Sequence, residues 1–133
     1  MSKLNLEMLT PERTFFKGEV DSLVVDSLNG EIGILAHHTP IVIALKPSMI
    51  RIMVDGEVKE ASSSEGFLEV RPDKTVVLCQ TMEWPEEIEE NRVRRAIEEY
   101  ERKLKEAKSI QDYKMSKATL ARAFARLKVK KRH

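Results

Sequence analysis

The sequence predicts an α+β chain in two segregated parts. An N-terminal antiparallel β-sandwich of about ten strands spans residues 1–84, and a C-terminal antiparallel two-helix hairpin spans residues 85–133. Three observations carry that reading. Up to about residue 83, short alternating apolar runs are cut by frequent turn signals. Near Trp84-Pro85 the apolar period changes from two to about 3.6. The sign of the charge changes at the same place: residues 1–85 hold eight Lys or Arg against thirteen Asp or Glu, and residues 86–133 hold fifteen against nine. The resulting −5 and +6 nearly cancel in the +1 of the whole chain, so the two parts present opposite fields.

Taken in order, Leu4, Leu6 and Met8 alternate with polar neighbours before Thr10-Pro11-Glu12 turns the chain. Val20-Asp21-Ser22-Leu23-Val24-Val25 reads as the next extended run, closed by Asn29-Gly30, a pair that tolerates positive φ. Glu31–Leu35 and Ile41–Leu45 flank His37-His38-Thr39-Pro40. Met49–Val54 runs into Asp55-Gly56, the strongest hairpin signal in the chain. Glu57–Glu60, Gly66–Val70 and Thr75–Leu78 complete the strand region, with Ser62, Ser63 and Ser64 read as a loop. The region should stop before Pro85, because proline biases the preceding residue away from helix.

Pro85 suits a first helical position, and Glu86, Glu87, Glu89 and Glu90 would face the positive end of the helix dipole. Val93, Ala96, Ile97, Tyr100, Leu104 and Ala107 then fall on one stripe. Lys108-Ser109-Ile110-Gln111 breaks the stripe, and Asp112 is the expected cap of a second helix. That helix takes its apolar face from Met115, Ala118, Leu120, Ala121, Phe124, Leu127 and Val129. So short a turn between two stripes makes an antiparallel αα-hairpin.

At 133 residues the chain has room for one domain of ordinary size plus an appendage. With 41% hydrophobic, 34% charged and 5% aromatic residues, the core is expected to be thin. A single cysteine, Cys79, excludes an internal disulfide framework, and its apolar setting Val76-Val77-Leu78 makes it a buried, inert thiol. No apolar run is long enough for a signal peptide or a membrane span, so a soluble cytosolic chain is expected, reaching a membrane only indirectly.

Catalytic chemistry finds little footing. Adjacent His37 and His38 would point to opposite faces of a strand and cannot chelate one ion together, so no metal site is expected. Ser62, Ser63 and Ser64 have no histidine at useful spacing, and Gly30 and Gly33 lack the lysine and helix of a phosphate loop. No catalytic residue is assigned. The notable feature is the second helix, with eight Lys or Arg from Tyr113 onward and no carboxylate. Three readings fit it: a solvated face, a phosphate-neutralising arm of a nucleic-acid-binding accessory protein, or a helix steered onto an acidic protein surface. Alanines rather than stacking aromatics interleave the cations, and the sandwich is acidic. Both weigh against nucleic acid and for a protein partner.

Gly30-Glu31-Ile32-Gly33-Ile34-Leu35-Ala36-His37-His38-Thr39-Pro40 resembles the G-E-x-G-I-L-P-x-H-x-P stretch of the epsilon subunit of bacterial F-type ATP synthases. Met49-Ile50-Arg51-Ile52, Gly66-Phe67-Leu68-Glu69-Val70-Arg71-Pro72, Asp112-Tyr113 and the alanine-rich Ala121–Leu127 continue the likeness in order over essentially the whole chain. Ala36 stands where proline is usual and Glu65 where glycine is usual. The resemblance implies a non-catalytic rotor subunit that couples the gamma subunit to the c-ring for ATP synthesis driven by an ion gradient. It would sit peripherally on the cytoplasmic face of the bacterial cell membrane. Loops around Glu31 and His38 would face the ring and stalk. The hairpin would fold on the sandwich or rise into the catalytic head, where Lys114, Lys117, Arg122, Arg126 and Lys128 would meet the beta (and alpha) subunits and inhibit hydrolysis. No cofactor is required. Some members hold regulatory ATP through an I/L-D-x-x-R-A motif, which here reads Ile88-Glu89-Glu90-Asn91-Arg92-Val93. The resemblance thus implies ATP-contacting roles for Ile88, Glu89 and Arg92 together with Glu83, Arg122 and Arg126.

Overall fold

A computed structural model describes residues 2–133. Ten strands come first: β1 (Leu4–Leu9), β2 (Thr14–Val20), β3 (Ser22–Ser27), β4 (Gly30–Ile34), β5 (Ile41–Leu45), β6 (Ser48–Val54), β7 (Glu57–Ser63), β8 (Gly66–Val70), β9 (Thr75–Cys79) and β10 (Met82–Glu83). A 3₁₀ turn over Pro85–Glu87 leads to α1 (Glu90–Lys105) and α2 (Ile110–Lys131). The strand order is β10-β7-β6-β3-β5-β8-β9-β1-β2, with β4 paired to β3, and the sheet folds over one core. Leu6, Leu23, Ile34, Ile50, Leu68 and Val77 are fully buried there by the period-two alternation of their strands.

The expected turns form. Asp55 and Gly56 both take positive φ, 51° and 83°, between β6 and β7, and Gly30 takes φ 118° at the β3–β4 turn. The sheet is antiparallel except for β1 and β9, which run parallel from Leu6↔Thr75 to Leu9↔Leu78. Three sequence expectations are corrected here. Thr14–Val20 is a strand of its own, which the reading left unassigned, and the chain breaks at Asp21 rather than running from Val20 to Val25. Lys17, Gly18 and Glu19 hide its period, while Phe15 and Val20 are buried. Ser62 and Ser63 belong to β7 rather than to a loop, paired with Met49 and Ser48 and with Glu83 and Met82. Cys79 is buried as expected, and desolvation pushes its thiol up to about 12, far from the thiolate range.

The strand region ends at Glu83, and the junction is pinned. Trp84 stacks on Phe15 with ring centroids 4.3 Å apart, and its backbone N–H donates to Glu87 Oε1 at 2.8 Å. Arg13 donates to the Met82 carbonyl and pairs with Glu87 at 2.9 Å. Pro85 therefore opens a 3₁₀ turn and not the α-helix. α1 starts at Glu90, five residues after Pro85, with Glu89 as its N-cap, accepting from Asn91 N and Arg92 N. The α1 stripe is as read from Val93 to Leu104, with Val93 and Ile97 buried, but the helix ends at Lys105 and leaves Ala107 outside it. α2 is capped by Ser109, whose hydroxyl accepts from Asp112 N at 3.0 Å, so Asp112 lies in the first turn instead of capping it.

Candidate functional site

The hairpin docks on the outer face of β6 and β7. A second small core forms there from Ile88, Val93, Ile97, Leu120, Ala123 and Val129, with Met49 of β6 against it. The docked side of α2 differs from the predicted one. Leu120 and Val129 are buried with Ser116, Ala123 and Ala125, whereas Met115 and Phe124 are 62% and 48% exposed. Ala121 is exposed too. Small residues let the helix come close to a flat sheet, and packing density counts for more than the hydropathy of single residues.

Charge completes the docking. Arg122 Nε donates to Glu65 Oε1 at 2.7 Å. Arg126 forks onto Glu83, with Nε and Nη2 donating at 2.5 and 3.2 Å. Lys130 Nζ donates to the Pro85 carbonyl at 3.1 Å. The carboxylates of Glu65 and Glu83 are 44% and 26% exposed, so each such pair contributes about 0–1 kcal/mol. The pairs therefore add little beside the burial of the second core and serve to place the helix.

Glu83, Arg122 and Arg126 are thus brought together, on a recess of about 540 Å³ between sandwich and hairpin. Arg13, Glu12 and Glu87 line it as well, so its three cations face three carboxylates. The other three residues of the suggested nucleotide site do not line this recess. Ile88 is buried in the second core, Glu89 caps α1, and Arg92 is exposed on the first turn of that helix.

The remaining sequence candidates are spread out. Lys114, Lys117 and Lys128 are exposed on α2, Lys117 lying 6.0 Å from the Tyr113 ring centroid. Glu31, early in β4, pairs with Arg51 at 2.9 Å. His38, four residues past the end of that strand, has Nδ1 2.7 Å from the Thr39 carbonyl oxygen. The structure also shows a surface that sequence reading missed. On the outer face of β5, β8 and β9, Val42, Phe67 and Leu78 are 67%, 57% and 47% exposed. The registers Ala44↔Phe67 and Phe67↔Leu78 put them on one side, where Phe67, Leu78 and Leu28 (69% exposed) line a groove of about 730 Å³. The signal lay in continuous apolar runs, which conceal the fact that one face lacks a cover.

Comparison with known proteins agrees with this architecture. Residues 3–85 match the family described as ATP synthase, Delta/Epsilon chain, beta-sandwich domain, and residues 86–131 match its long alpha-helix domain. The ATP synthase epsilon chain of Ruminiclostridium cellulolyticum is 44% identical over 127 residues, covering 96% of this chain and 95% of that one. That of Caldicellulosiruptor bescii is 41% identical over 129 residues, covering 97% and 94%. A chain in the cryo-EM structure of the Euglena gracilis mitochondrial ATP synthase, OSCP/F1/c-ring, superposes with a TM-score of 0.81 at 19% identity, over 92% of this chain and 78% of that one, which is a likeness of fold. With both parts matched in order and bacterial relatives aligned almost end to end, the chain belongs to the ATP synthase delta/epsilon family, as a bacterial epsilon chain.

Proposed function

We propose that this epsilon chain is a non-catalytic central-stalk subunit whose sandwich couples the gamma subunit to the c-ring, and whose hairpin brakes ATP hydrolysis when it leaves the sandwich. The carrying observation is the division of α2 into two sets of cations. Arg122 and Arg126 are spent on sandwich carboxylates, while Lys114, Lys117 and Lys128 are exposed and, among the described residues, without a carboxylate partner. The first set holds the folded state, and the second is free to meet an acidic loop of the beta or alpha subunits. Among the described residues, no helix is long and apolar enough to cross a membrane. Attachment to the cytoplasmic face of the cell membrane then comes through the c-ring. The uncovered apolar face around Phe67 is assigned to gamma. Epsilon-family membership and a fold shared with a chain of an F1/c-ring assembly support that assignment.

The test uses Lys114→Ala/Lys117→Ala/Lys128→Ala in the assembled enzyme. These changes leave every docking ion pair intact, so ATP hydrolysis should rise severalfold with synthesis nearly unchanged. Hydrolysis as slow as in the unmodified complex removes the basic helix as the brake.

A regulatory nucleotide is a second reading, favoured by the meeting of Arg122 and Arg126 on one recess. The fit is partial. Phosphates would reach those guanidiniums only by displacing Glu65 and Glu83, and Glu12 and Glu87 face the same space. ATP in this recess would compete with internal carboxylates.

A further inference from the structure

Among the described residues, Glu60 is the one buried charged side chain, 4% exposed. It lies in the middle of β7 on the face turned toward α2, because its neighbour Ala61 belongs to the sandwich core. Directly across on β6 stands Arg51, and that guanidinium is taken by Glu31. Glu60 is met instead from just beyond α2. Arg132 Nε donates to both carboxylate oxygens, at 2.9 and 3.0 Å, and His133 Nε2 lies 2.8 Å from Oε1. Burial pushes the Glu60 carboxyl up, but the hydrogen bonds and charges of Arg132 and His133 outweigh it and hold the group below its ordinary value.

We propose that Glu60, Arg132 and His133 form a clasp that selects one docked register of the hairpin and is released as a unit when the arm lifts. The proposal rests on the reading of the hairpin as a mobile arm. Its force comes from an asymmetry. With the arm down and Arg132 and His133 absent, Glu60 would be a buried charge beside Trp84, Pro85 and Val58, in a recess also lined by Lys59 and Glu86, and Lys59 makes no ion pair with it among the described residues. An uncompensated buried charge costs more than the pair itself contributes. With the arm raised, the same carboxylate returns to water. Any register that leaves Glu60 covered and uncapped is therefore penalised, as it would not be at Glu65, whose carboxylate keeps water in the docked state.

The experiment is amide hydrogen exchange over the last turn of α2, Leu127–Lys131, in the full chain. Arg132→Ala/His133→Ala should speed exchange by about tenfold or more, and Glu60→Gln by about threefold or less. Adding Glu60→Gln to the first variant should bring exchange back to within about threefold of the unmodified chain. That rescue separates the clasp from simple fraying of a shortened helix end, which a change on β7 would not reverse. Unchanged exchange in Arg132→Ala/His133→Ala, or failure of the added Glu60→Gln to slow it, overturns the proposal. Hydrolysis by the assembled complex is read in parallel. Faster exchange reversed by Glu60→Gln, with unchanged hydrolysis, leaves the clasp standing and removes the brake.

Discussion

Gly66 shows how much can depend on a single side chain that is absent. A Cβ at this position would stand 2.0 Å from the Leu78 carbonyl oxygen and 2.9 Å from the Cys79 Cα, both on the paired strand β9. No positive φ is involved, so the demand is for room and not for conformational freedom. The obstacle is backbone, which cannot rotate away. Gly66→Ala should therefore cost about 3 kcal/mol, the upper end of the overpacking range, and lower the urea midpoint without altering the slope. An unmoved midpoint would mean that β8 and β9 separate here more easily than their continuous register implies. Sequence reading found this glycine as part of a motif but had no means of finding its reason. The close approach comes from a strand that joins the sheet nine residues later.

Among the elements, those that keep one period throughout were legible. The α1 stripe holds from Val93 to Leu104, Ala107 falling past the helix end, and the turns at Asn29-Gly30 and Asp55-Gly56 hold too. β2 was hidden because Lys17, Gly18 and Glu19 interrupt the alternation at an open face. α2 was misread on one side: Phe124 and Met115 outrank Ser116 and Ala123 in hydropathy, yet the sheet accepts the smaller pair. The large apolar residues face water in the docked state. Of the candidate nucleotide residues, only those that tertiary packing gathers on one recess stay together, and local spacing could not foretell that Glu65 would take Arg122. A prediction follows for this interface. Titration calorimetry of the isolated chain should show weak ATP binding, and Glu65→Gly, which frees Arg122 without enlarging any side chain, should tighten it by about tenfold. Equal affinity in both proteins would mean that the phosphates do not sit at Arg122.

For the whole molecule, the opposed charges of the two parts and the two faces of the sandwich form one argument. The acidic sandwich accepts the basic hairpin on β6 and β7 over a small apolar core edged by ion pairs that water can replace, and offers an uncovered apolar face on β5, β8 and β9 that water cannot satisfy. In the proposed function the first contact is the one that is broken and remade, and the second the one that stays. The sandwich core takes nothing from the helices: its buried members end at Met82, with Trp84 packed beside them. Truncation after Glu87 keeps the Phe15–Trp84 stack and the Arg13–Glu87 pair, and should leave a soluble, β-rich protein that still binds gamma. Within that truncated chain, Phe67→Asp places a carboxylate in the middle of the open face. It should leave the fold intact and weaken gamma binding by at least about a hundredfold, as expected when a central apolar anchor is lost. Co-purification with gamma and thermal unfolding measure the two effects separately. Should Phe67→Asp bind gamma as tightly as its parent, the stalk must be held through another surface, and the exposed face on β5, β8 and β9 would then require a different partner.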